Sequence, residues 1–206
     1  MKSLYARFTP YFGSLAALSF ALAVVGFGAS LSGYSHARHP VSLLGAIGVP
    51  HAQAFNLLGF LLPGLLAVLA GLQLRRRMPA AAGWSARIGA QLIVLSALAF
   101  AAQGLLPLDP SDLYAPGARL HATAWMLWWI AFVPGAFVLA YGLRSLALVS
   151  VVAAAIVLGF GLFAPDALAP GTVQRIAFGA WFAWFAVAGI TRTAISAPGS
   201  LPTTRT

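Results

Sequence analysis

The sequence predicts an all-α membrane protein of six transmembrane helices, arranged as three outward-opening helical hairpins with both termini in the cytoplasm. Three observations predict it. Of the 206 residues, 61% are hydrophobic and only 7% are charged, too little charge to cover a soluble domain. Six stretches reach the roughly 20 apolar residues that cross about 30 Å of hydrocarbon. The cations, finally, gather in alternate connections along the chain, as the positive-inside rule requires.

The spans read in order as about 11–32, 53–74, 86–106, 120–142, 145–163 and 173–193. So little sequence remains that residues 1–206 form one domain. Lys2 and Arg7 precede an apolar run, as in a signal peptide, but that run is too long for a signal core and is expected to stay as the first span. With the N-terminus inside, Lys2, Arg7, Arg75, Arg76, Arg77, Arg87, Arg144, Arg192 and Arg205 are cytoplasmic, nine cations with no acid. Outside, Arg38, Arg119 and Arg175 balance Asp109, Asp112 and Asp166, so orientation alone accounts for the net charge of +9. The longer connections, 33–50, 107–118 and 164–172, then all face outward. A nucleic-acid role would need a basic domain, and the chain has none. It also lacks cysteine, which excludes disulfides and thiolate chemistry.

The hairpins echo one another. The second span opens His51-Ala52-Gln53-Ala54-Phe55 and continues to Pro63-Gly64 and Gly71-Leu72; the fourth opens His121-Ala122-Thr123-Ala124-Trp125 and continues to Pro134-Gly135 and Gly142-Leu143. Ala115-Pro116-Gly117 recurs as Ala169-Pro170-Gly171 before the sixth. A parallel repeat of hairpins is one known way to build a membrane fold. Pro63 and Pro134 each remove a backbone hydrogen bond in mid-span and favour a kink.

Every histidine and every acid falls at the outward end: His36, His39, His51, His121, Asp109, Asp112 and Asp166. No charged residue lies mid-span, which weighs against an ion-coupled pump. The densest polar segment is Tyr34-Ser35-His36-Ala37-Arg38-His39-Pro40-Val41-Ser42. If the bundle brings it to the mouths of the second and fourth spans, His36, His39, His51, His121 and Asp109 form a ligand set suited to zinc or another divalent metal. The plainer reading is loop histidines at a membrane interface, with Asp109 and Asp166 pairing Arg119 and Arg175. No haem or nucleotide motif is present. Trp125, Trp128, Trp129, Trp181 and Trp184 read first as an interfacial aromatic belt, and second as an apolar wall beneath a polar mouth.

The stretch Tyr34-Ser35, His39-Pro40-Val41-Ser42-Leu43-Leu44-Gly45-Ala46, Gly48-Val49-Pro50 and Phe55-Asn56 resembles the signature of a bacterial and archaeal six-helix membrane family catalogued as a domain of unknown function. Pro107 with Asp109, His121, and Gly171, Gln174, Arg175 and Trp181 fit the same pattern, while Ala122 stands where many relatives carry glycine. The resemblance implies the fold and a membrane location. It singles out His39, Ser42, Asn56, Asp109, His121 and Arg175, and implies no reaction.

Three functions compete on this reading. The first is binding or handling a lipid or other amphiphile at an outer polar pocket of His39, Ser42, Asn56, Asp109, His121, Trp125 and Arg175, facing the periplasm or exterior of the cell (inner) membrane. The second is a metal-dependent hydrolase of a membrane lipid. The third is a non-catalytic subunit packed on another membrane protein or on a second copy of itself. Membrane lipids are the expected partners and nucleic acid is not.

Overall fold

A computed structural model describes residues 9–80, 82–163 and 168–191. Lys2, Arg7, Asp166, Arg192 and Arg205 lie outside these. The described residues contain helices and no strand. Six helices are long and apolar enough to cross a membrane: α1 Thr9–Ser30, α2 Ala52–Arg77, α3 Trp84–Gln103, α4 Pro116–Gly142, α5 Arg144–Leu162 and α6 Pro170–Ile190.

The ends follow local chemistry. α4 and α6 start at Pro116 and Pro170, a few residues before the expected 120 and 173. Proline suits a first helical turn, where its missing N–H has no partner to lose. α2 runs on through Arg75, Arg76 and Arg77, whose charges oppose the negative end of the helix dipole. The two mid-span prolines behave differently. Ahead of Pro63, residues Asn56–Leu61 widen into a π-helical turn, and the Leu62 N–H donates to the Leu57 carbonyl. The wider turn makes room for the proline ring. α4 instead continues as an α-helix through Pro134.

Each helix packs against its neighbours in the chain, and α6 closes on α1, so the six form a ring. Glycines set the closest approaches. A Cβ on Gly64 would lie 2.6 Å from the Ala101 Cα, and one on Gly89 would lie 2.5 Å from the Leu139 nitrogen. These positions bring α2 and α4 onto opposite ends of α3 at backbone distance, as small residues do between membrane helices.

Aromatic rings fill the centre. Phe100 of α3 stacks on Trp181 of α6 at 4.9 Å, and Phe178 meets Trp128 of α4 edge-on at 4.8 Å. Trp128, Trp181 and Trp184 are completely buried. The expected interfacial belt therefore does not hold for these three. For two of them a serine explains how: Trp181 Nε1 donates to Ser96 Oγ at 3.0 Å, and Trp184 Nε1 to Ser150 Oγ at 2.9 Å, while Trp128 Nε1 has no acceptor. With its N–H satisfied, an indole is simply a large core side chain. Trp125 and Trp129 are half-buried at the edge of this core.

Candidate functional site

The connection from α1 to α2, residues 31–51, lies over the start of α6 and is fastened there by Arg175. One guanidinium nitrogen, Nη1, donates to the carbonyls of His39 (3.0 Å) and Gly171 (2.8 Å). The other, Nη2, donates to the Tyr34 hydroxyl (2.6 Å) and lies 3.3 Å from His36 Nδ1. Beside it, Gln174 Oε1 accepts from the Val41 N–H at 2.6 Å, and the Thr172 N–H donates to the Ala37 carbonyl at 3.0 Å. Gly171 has no side chain because none would fit: a Cβ would lie 2.5 to 2.7 Å from the carbonyl oxygens of His39, Ala37 and His36. The loop thus turns its carbonyls toward the positive end of α6.

Electrostatics follow from that latch. Partial burial and then the neighbouring Arg175 charge hold the His36 imidazole below its ordinary value. Burial pushes the Tyr34 hydroxyl up, against the pull of Arg175. Among the described residues, no carboxylate contacts the guanidinium, and its solvent-shielded Nε has no acceptor.

The other expected site residues occupy separate positions. His39 accepts the Ser35 N–H on Nδ1 at 2.9 Å, which shapes the loop. Ser42 is half-buried in the 3-10 turn Val41–Gly45. Asn56, buried at the start of the π turn, donates to the Gly45 carbonyl at 2.9 Å and ties the loop to α2. His121 is buried on α4, and its Nδ1 lies 2.7 Å from the Leu106 carbonyl just past the end of α3. His51 is exposed and starts α2 with a left-handed backbone, φ 62°. The two histidines that the sequence aligns therefore do different work, one a buried tie and the other an exposed cap. Asp109 accepts from the Ser111 N–H (2.9 Å) and hydroxyl (2.6 Å), and these bonds hold its carboxyl below the usual range. Asp112 likewise closes its own turn on Tyr114 and Ala115. Trp125 packs beside Trp128, with ring centres 6.4 Å apart.

So the structure brings together Tyr34, His36, His39 and Arg175, and it leaves Asn56, Asp109 and His121 in ties of their own. Among the described residues no three histidines or acids are grouped closely enough to hold a metal ion. Tyr34 and Gln174 were not singled out as site residues from the sequence. Their signal was there: both stand in the motifs that carry the family resemblance, Tyr34-Ser35 and Gln174-Arg175.

Two apolar grooves open beside these ties. One, about 470 Å³, runs between α1 and α6 along Ala17, Phe20, Val24, Gly179 and Phe182, with His36 and Arg175 at its head. The other, about 540 Å³, runs between α1 and α2 with His51 at its head.

A ring of six membrane-spanning helices, with its polar ties at the loop ends, defines a multi-pass membrane protein. The chain belongs to the family described as "Protein of unknown function (DUF998)", whose model matches residues 14–191. No curated protein and no solved structure matches the chain.

Proposed function

We propose that the chain binds an amphiphile with an anionic head group, seating the apolar tail between α1 and α6 and the head beside Arg175 and His36. The histidine-bearing end faces the periplasm or exterior and both termini face the cytoplasm, so the helices pair as three outward-opening hairpins in the cell membrane. The observation that carries the reading is the groove itself. Its walls are apolar, and its head is a guanidinium that touches no carboxylate among the described residues. A mostly apolar cleft with a few convergent polar groups is the ordinary form of a ligand site, and arginine suits a phosphate or carboxylate head.

The test uses space already present. A side chain added at Gly179 enters open space, as does one at Gly26 in the groove beside α2. Gly179→Leu therefore fills the proposed seat without disturbing packing, and Gly26→Leu serves as the control. Mass spectrometry of co-purifying lipids should show an anionic amphiphile on the natural protein and on Gly26→Leu, reduced about tenfold or more on Gly179→Leu, the equivalent of about 1.4 kcal/mol. Equal retention by all three proteins would overturn the reading.

A further inference from the structure

At the opposite end of the molecule, the turn between α2 and α3 carries a second concentration of chemistry. Arg75, Arg76 and Arg87 line one cavity of about 320 Å³, together with Leu72 and Met78. Arg87 is held in place by the turn it serves: its Nε donates to the Ala82 carbonyl at 3.2 Å and its Nη2 to the Ala80 carbonyl at 3.1 Å. The adjoining Arg77 is used differently, reaching inward to the Gly189 carbonyl of α6 at 2.8 Å. Asp109 and Asp112 lie in the connection between α3 and α4 at the other end, so among the described residues no acid is placed to neutralise this cavity. Trp84, 83% exposed at the start of α3, is an aromatic anchor of the kind that sits at head-group depth.

We infer that this cavity is a binding site for a phosphate group, formed by Arg75, Arg76 and Arg87. Cationic turns also serve to orient a membrane protein, and orientation needs only charge. It needs neither a cavity nor a guanidinium pinned to two carbonyls. Arginine grips a phosphate bidentately through its planar donor fork, whereas lysine offers only a point charge. The phosphate comes either from a phospholipid head group or from a soluble ion, and the two sources share this chemistry. The site is independent of the groove between α1 and α6.

The experiment replaces all three residues while keeping their charge: Arg75→Lys, Arg76→Lys and Arg87→Lys in one chain. All three are exposed, so the variant is expected to fold, and its melting temperature in neutral detergent checks this. Native mass spectrometry measures retention of phosphatidic acid against phosphatidylcholine, and thermal melting in the same detergent measures the effect of inorganic phosphate. A head-group site predicts that the natural protein prefers phosphatidic acid and that the lysine variant loses that preference by about tenfold or more. A site for the soluble ion predicts instead a phosphate-dependent rise in melting temperature, absent from the variant. The proposal is overturned if the natural protein shows neither response, or if the lysine variant matches it in both.

Discussion

Arg175 is half-buried at the head of α6, and the acceptors it reaches are a hydroxyl, two carbonyls and an imidazole. Hydrogen bonds to a charged donor are worth more than neutral ones, and losing several together leaves buried carbonyls unpaired. Arg175→Gln is therefore expected to cost about 2–4 kcal/mol, read as a lowered melting temperature in detergent. Arg175→Lys should not restore it, because an ammonium cannot span the same four acceptors; full recovery by lysine would show that charge alone matters there. The same contact makes the loop sensitive to acid. His36 has a depressed folded value, so the unfolded loop binds the proton more readily. The sign follows: the contribution is intact above the ordinary histidine range and is lost as pH falls through it toward the depressed value. Protonation also turns Nδ1 from an acceptor into a donor facing the guanidinium. Protection of residues 35–46 from hydrogen exchange, corrected for the intrinsic pH dependence of amide exchange, should fall between pH 7.5 and pH 5.5, roughly the histidine range, and His36→Gln should remove most of that dependence.

Loop 31–51 meets α6 at Gly171, the tightest backbone approach in the site. Alanine there would place a Cβ 2.5 Å from the His39 oxygen and nearly as close to those of Ala37 and His36. Gly171→Ala is expected to cost about 1–3 kcal/mol through overpacking, with the loop released to proteolysis, whereas Gly179→Ala should be neutral. Protease resistance equal to the natural protein in Gly171→Ala would contradict the docking. The sequence showed Ala169-Pro170-Gly171 as half of a repeated motif, yet the two copies differ: Gly171 is enclosed, while a Cβ on Gly117 would meet nothing within 4 Å. A repeat in one dimension marks the start of a span and says nothing about what lies over it. Likewise Pro63 and Pro134 look alike in sequence. Only α2 carries a π turn ahead of its proline, while α4 stays α-helical through its own.

For the whole molecule, six spans were legible because hydropathy over about 20 residues is a local property, and the family because its resemblance rests on short motifs such as His39-Pro40-Val41-Ser42. The segregation of the histidines, Asp109 and Asp112 to one end was legible too. Their convergence was not. His39, Asn56, Asp109 and His121 looked like one polar mouth, and the fold spends them on separate ties to Ser35, Gly45, Ser111 and Leu106. At a loop end, many backbone carbonyls and N–H groups compete for the same polar side chains, and local partners win. The tryptophans were misjudged for a related reason: Ser96 and Ser150 lie on other helices, so nothing near Trp181 or Trp184 in sequence shows that their N–H groups are satisfied. Which end faces outward underlies every functional assignment made for this ring of helices. The chain contains no cysteine, so single thiols can be placed without any prior replacement. Leu113→Cys is highly exposed between α3 and α4, and Ala80→Cys is exposed between α2 and α3. In intact cells a membrane-impermeant maleimide should label Leu113→Cys and should reach Ala80→Cys only after permeabilisation. Labelling of Ala80→Cys in intact cells, with Leu113→Cys protected, would contradict the account.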